Sequence, residues 1–305
     1  MSRLTQLATR LKIITDARYR RFFWQRRFTD IPGREGRAAR LAATLPRFAG
    51  AGGGADLARA TALDLHGFVM LDGVLPAAWF GALHAHLAAC RVGDPYRPGS
   101  PKFVGPENAP AGTHVAFVAD RDVARAPHVF AIVNHPAILA AVAGVLGARP
   151  LVSYMAAWWS IPTHDGGARH AELFHRDVDD WRFVKLFCYL TDVDEESGPH
   201  VFVPGSHRIN TLTAIRRYTE AEVHEAFGAG REKRFTGPAG TAFLENTYGL
   251  HRGFPPRSRP RMIFQALYSL TPVIYGPRQP VATIGKDGVP PGIDPYINSI
   301  YCHAA

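Results

Sequence analysis

After Pro150 the chain changes character, and that change restricts its fold more than any other feature. Five apolar runs rich in β-branched and aromatic residues follow one another, at 151–161, 182–193, 200–203, 240–250 and 262–270. Gly, Pro, Asp and Ser turns separate them, which is the pattern of strands. Before Pro150 the pattern is helical. Residues 1–28 read as a basic amphipathic helix, with Leu4, Leu7, Leu11 and Ile14 at helical spacing, and 34–48 as a shorter one. A glycine-rich break at 49–54 precedes a helix into His66-Gly67, followed by a strand at 68–71. Pro76 opens a helix to about Cys90, and another runs from Pro136 to about Leu146, where Gly147 ends it. Residues 92–113 read as a long loop and 211–227 as a polar helical insertion. Helices first and strands second predict a mainly β fold with flanking helices, a β-sandwich or jelly-roll (cupin-like) barrel. Three segments follow: a basic helical N-terminal extension (1–55), the barrel domain with its helical first half (56–275), and a C-terminal coil (276–305).

Composition narrows the function classes. At 305 residues and 47% hydrophobic content the chain can build a core without covalent staples. Cys90, Cys188 and Cys302 are too few and too scattered for a disulfide framework or a Cys-rich zinc site. A reducing, cytoplasmic location is expected, with no membrane-length apolar stretch and no apolar signal core at the N-terminus. The net charge is +9, and residues 1–40 hold 11 Lys and Arg against Asp16, Asp30 and Glu35, a local +8. That segment reads either as an arm for an anionic partner or as a helix with a solvated basic face packed on the barrel. Its helical leucine spacing favours the packed version, and nucleic acid is not the expected partner.

The chemistry starts at Phe174-His175-Arg176-Asp177. In an extended chain, residues two apart point to one side, so an imidazole and a carboxylate at this spacing can grip one cation. His251, at the end of a predicted strand, is the best third ligand. Two histidines and one carboxylate on one face leave the opposite positions open, as in non-haem iron(II) oxygenases. Alone, His-x-Asp is an unspecific signal in a chain with 14 histidines. Its surroundings make it specific.

The stretch from Tyr189 to Arg208, containing Asp-Glu-Glu-Ser-Gly-Pro-His-Val-Phe-Val-Pro-Gly-Ser-His, resembles the hallmark of the phytanoyl-CoA dioxygenase family. The order His-x-Asp, a strand, a glycine followed by Pro-Gly-Ser-His, a distal histidine and then an arginine is met by His175 and Asp177, Gly198 to His207, His251 and Arg261. The resemblance covers about 150–270 well and 63–87 more weakly. It implies a double-stranded β-helix with iron(II) on His175, Asp177 and His251. It also implies 2-oxoglutarate as cosubstrate with O2, and hydroxylation of an unactivated C–H of a small organic substrate, giving succinate and CO2. Arg261 would hold the far carboxylate of 2-oxoglutarate; a guanidinium offers the forked donors this needs. Asp177 fills the position that related halogenases leave open for chloride, which favours hydroxylation. The alternatives are a metal-binding cupin-like barrel without oxygenase activity, serving as an isomerase or a binding module, and an adaptor acting through residues 1–40.

Further residues are candidates for the same site. Alternation puts Phe183, Lys185, Phe187 and Tyr189 on one face, which the resemblance turns inward. A lysine there needs an anion, and 2-oxoglutarate or an acidic substrate is the candidate for Lys185. Trp158, Trp181, Phe187 and His200 are candidate substrate contacts, although a surface position is the expectation for His200. His207 and Arg208 read as architectural, with Gly205 allowing a tight turn and Ser206 bonding local backbone. His164, Asp165, His170 and Asp179-Asp180 are expected at the rim.

Overall fold

The computed structural model describes residues 12–50, 53–163, 169–286 and 288–304. The predicted helical register of Leu4, Leu7 and Leu11, and the rim positions His164 and Asp165, lie outside the described residues. Helices α1 (Ala17–Gln25), α2 (Ile31–Ala42) and α3 (Gly54–His66) come first, then strand β1 (Phe68–Met70) and α4 (Ala77–Ala88). Short strands β2 (Val92–Gly93) and β3 (Val115–Val118) precede three helices, α5 (Asp120–Ala124), α6 (Val129–Val133) and α7 (Pro136–Leu146). Strands β4 (Leu151–Ser160), β5 (Phe183–Tyr189) and β6 (His200–Phe202) are followed by α8 (Glu220–Phe227). The chain ends with β7 (Lys233–Phe235), β8 (Ala242–Glu245), β9 (His251–Gly253), β10 (Arg261–Ser269), β11 (Ala282–Thr283) and β12 (Cys302–His303).

Local chemistry sets the helix limits. Asp30 caps α2 by accepting from Gly33 N at 2.7 Å, with Pro32 in the first turn. Helix α3 stops at Gly67 and α7 at Gly147, both left-handed, at φ 84° and 73°. Thr219 and Glu222 close a capping box on α8.

Seven strands form one antiparallel sheet in the order β1-β8-β5-β10-β4-β3-β2, and β7-β6-β9 form a second, smaller one. The mainly antiparallel architecture with flanking helices is the one expected. Alternation divides the large sheet into two faces. Val184, Leu186 and Cys188 of β5 join Met262, Phe264, Ala266 and Tyr268 of β10 in the main core, under α3, α4 and α7. The intervening residues, Lys185 and Phe187 on β5 and Arg261, Ile263, Gln265 and Leu267 on β10, line a cavity on the other face.

Residues 12–40 are packed rather than free. Gln25 is buried and donates to Val178 O at 3.0 Å. Arg34 is buried as well and donates to the carbonyls of Gln25, Phe28 and Asp180. Arg20, Arg27 and Arg40 stay exposed. The basic segment therefore combines a buried bracing face with a solvated one.

Three expectations shift. The 211–227 insertion becomes helical only from Glu220, because the Thr211 and Leu212 carbonyls are engaged by Arg176 instead. Part of the 92–113 loop is strand β2, which pairs with β3 just beyond it. Helices α5 and α6, five residues each, are too short to show periodicity. Among the described residues no helix is long and apolar enough to cross a membrane.

Candidate metal centre

His175 and His251 sit directly opposite each other in an isolated antiparallel bridge. Each backbone N–H donates to the other residue's carbonyl at 3.0 Å. Asp177 N continues the pairing to Thr247 O at 2.9 Å. Two stretches more than seventy residues apart are thereby locked in register, and period two turns His175 and Asp177 to the same side. Arg176, pointing the other way, donates to the carbonyls of Ser206, Leu212 and Tyr248 at 2.9, 2.9 and 2.6 Å. It ties the loop after β6 to the segment before β9. Ser206 bonds Leu250 N at 2.8 Å rather than local backbone, so the Pro-Gly-Ser-His turn supports His251 directly. Gly205 has φ 78° there, and His207 Nε2 donates to Asp64 O of α3.

The three side chains converge. One ligand atom from each of His175, Asp177 and His251 lies within 4.8 Å of the other two. Asp177 Oδ1 is 3.5 Å from His175 Nε2, and Oδ2 is 3.3 Å from His251 Nε2. Both Nδ1 atoms are committed to backbone, to Leu173 O at 2.8 Å and to Gly249 O at 3.0 Å. That bond makes each Nδ1 the protonated nitrogen and leaves the Nε2 lone pair aimed at the shared point. Burial, then the neighbouring His251, lowers His175 to about 4, which keeps it neutral and able to ligate. Burial works against charge on His251, but Asp177 outweighs it and raises that pKa. Burial likewise opposes the Asp177 charge, yet Lys185 and His251 hold the carboxyl well below its usual range. These donors fit a divalent metal with a vacant hemisphere on the cavity side.

A cavity of about 390 Å³ opens in front of the three ligands. Phe117, Trp158, Phe187 and Ile263 give it apolar wall, and Tyr96, His114, His170 and Arg217 line another part of it. Phe117 and Trp158 stack at 5.2 Å, and Tyr96 and His170 at 3.8 Å. His170 is thus where the rim was expected.

Arg261 is buried on the cavity wall and donates to Gly198 O and, at 3.2 Å, to Ser160 Oγ. Its Nε has no hydrogen-bond partner among the described residues. Gly198, at φ 72°, runs so close to the Phe254 and Pro255 backbone that a Cβ would not fit. Lys185 is inside, on the face that the resemblance turned inward, but its ammonium meets carboxylates of the chain itself: Asp177 Oδ2 at 2.6 Å and Asp179 Oδ2 at 3.0 Å.

Two expectations are corrected. His200 is buried, not on the surface, and lines the cavity, where it was also a candidate. Its Nε2 lies 3.0 Å from Glu245 Oε1, and its ring stacks on His251 at 5.5 Å. Alternation carried the signal, since Phe202, two residues on, faces the same interior cluster while Val201 faces away. Trp181 is not in the cavity wall; it packs against Trp24, Phe28 and the Arg34 guanidinium. The N-terminal helices claim its ring, a contact no local pattern announces. Glu245, Tyr154, Gln265 and Tyr275 were not anticipated: Glu245 holds His200, and the other three line the cavity.

Comparison with known proteins follows the same line. Among solved structures, EctD from S. alaskensis, determined with 2-oxoglutarate and 5-hydroxyectoine, is 17% identical with a TM-score of 0.50. That match covers 86% of this chain and 94% of the other. HygX from Streptomyces hygroscopicus, determined with nickel and 2-oxoglutarate, is 16% identical with a TM-score of 0.50, over 73% of this chain and 89% of the other. At these identities the likeness speaks to fold. Among curated protein sequences nothing matches. The model of the phytanoyl-CoA dioxygenase (PhyH) family matches residues 63–262, from the helix before β1 to the start of β10, and takes in all three candidate ligands as well as Arg261. The chain belongs to the phytanoyl-CoA dioxygenase family.

Proposed function

We propose that this chain is a non-haem iron(II)- and 2-oxoglutarate-dependent dioxygenase that hydroxylates an unactivated C–H of a small organic substrate, with succinate and CO2 as co-products. The observation that carries the reading is the tautomer-fixed triad. Two imidazoles, each held through Nδ1 by a backbone carbonyl, present Nε2 to one carboxylate at the wall of a cavity. His175, Asp177 and His251 would hold the metal. Iron(II) with 2-oxoglutarate and O2 supplies the oxidising power for C–H chemistry when bound.

The chain's own residues do the rest. Arg261, buried at the start of β10, would offer its charged fork to the far carboxylate of 2-oxoglutarate. Trp158, Phe187 and Ile263 give the cavity an apolar wall that excludes water and orients the substrate carbon. A volume of about 390 Å³ suits a small organic substrate. Asp177 completes the ligand set, which favours hydroxylation over halogenation.

Anaerobic titration with iron(II) and 2-oxoglutarate tests this reading. Wild type should develop a weak visible charge-transfer band, and His175→Ala should not. A flat wild-type spectrum would leave a metal-binding barrel without oxygenase activity as the better account.

A further inference from the structure

We propose that Lys185 is a positioning residue for the metal carboxylate, its ammonium fixing Asp177 while Asp179 fixes the ammonium. The inference rests on the metal site described under the proposed function, and deepens it. Lys185 stands in the middle of β5, a strand buried along its whole length and flanked by β8 and β10. Its Nζ lies 2.6 Å from Asp177 Oδ2 and 3.0 Å from Asp179 Oδ2. Both Lys185 and Asp179 are buried. Charge-assisted bonds of this length in a largely buried site are strong and directional.

The pairing has a consequence for how Asp177 can coordinate. Its Oδ2 accepts from the ammonium and lies 3.3 Å from His251 Nε2, and its Oδ1 faces His175 Nε2 at 3.5 Å. The ammonium takes up part of the Oδ2 donor capacity and so favours metal binding through one oxygen over a bidentate grip. The second oxygen then takes none of the positions that a cosubstrate and O2 require. An ammonium on a four-carbon stem would swing if Asp177 alone held it. Asp179, from the same loop as Asp177, supplies the second point that fixes it. Partners of metal ligands commonly matter about 10–100-fold in metal affinity. A direct contact of Lys185 with 2-oxoglutarate makes a different prediction: the cosubstrate constant changes and metal affinity does not.

Co(II) binding to the full chain, followed by its visible absorption without O2, separates the two. Lys185→Met should weaken Co(II) binding about 10–100-fold. Lys185→Arg should recover most of the loss, because it returns a cation to the same carboxylates. Asp179→Ala, which leaves Lys185 in place, should weaken Co(II) binding in the same direction but less. It serves as the deciding variant if Lys185→Met does not fold, as checked by its thermal melt. Wild-type Co(II) affinity in Lys185→Met, or in Asp179→Ala if that is the deciding variant, overturns the assignment. So does a Lys185→Met protein that changes only the 2-oxoglutarate KM. Failure of wild type itself to bind Co(II) would refute the metal site, and would be recognised separately because no variant comparison enters it.

Discussion

Arg34 donates to the backbone carbonyl of Asp180 at 2.7 Å, joining the second helix to the loop that follows the metal-binding Asp177. The same guanidinium takes the carbonyls of Gln25 and Phe28 at 3.1 Å each and lies over the rings of Trp181 and Tyr248. Gln25 reaches Val178 O on that loop as well. The basic N-terminal segment, whatever its exposed arginines meet, is therefore part of the scaffold behind the site.

Arg34→Ala should destabilise the protein by about 3 kcal/mol, since several buried carbonyls lose their donor at once. Arg34→Lys should recover little, because an ammonium cannot span the same fork of acceptors. Urea unfolding checks both. A midpoint within error of wild type for Arg34→Ala would refute the bracing role.

The two tryptophans proposed from sequence as pocket residues should separate in stability. Trp181→Ala removes a ring packed between Trp24, Phe28 and two arginines, and should cost about 3–5 kcal/mol. Trp158 borders the cavity and is less buried, so Trp158→Ala should cost less. Equal losses in denaturant unfolding would contradict the placement.

Glu245 is fully buried, and desolvation raises its carboxyl to about 8 from an ordinary 4.5. Burial also holds His200 well below its usual value, so the pair is neutral and the carboxyl O–H donates to His200 Nε2. A raised carboxyl binds more protons folded than unfolded between about 4.5 and about 8. Its contribution is full below that window and is lost as pH rises through it. Glu245→Gln keeps the shape and cannot ionise, so its stability relative to wild type should climb between pH 5 and pH 8. The upper limit is about 1.4 kcal/mol per pH unit. A difference that stays constant across that range would sink this account.

Arg261→Lys should raise the KM for 2-oxoglutarate by about tenfold or more, the loss expected when one of two charged hydrogen bonds to a carboxylate is removed. Substrate-independent decarboxylation of 2-oxoglutarate measures it directly. An unchanged KM would assign the far carboxylate to another residue.

Much of this was legible in the residues. The long strands after Pro150 announced themselves as apolar runs rich in β-branched and aromatic residues, alternation grouped Lys185 with Phe187 on one face, and the family resemblance turned that face inward. The His175/Asp177 pair was readable because period two is a property of any extended chain. Helices α5 and α6 and strand β3 were not, since segments of four or five residues complete too little of any period. Trp181, and the surface position expected of His200, failed for a different reason: a neighbour's identity decides what an aromatic ring or an imidazole does.

The sequence by itself determined the element types, the ligand chemistry and the order in which the ligands arrive, because those depend on side-chain type and local spacing. Only the tertiary structure decided that His251 hydrogen-bonds to His175 across the fold, that Lys185 spends its charge on Asp177 and Asp179, and that the N-terminal helices support the metal loop. Each of these is a contact between distant parts of the chain. Its energy comes from desolvation and from hydrogen-bond geometry, which exist only once the strands have paired.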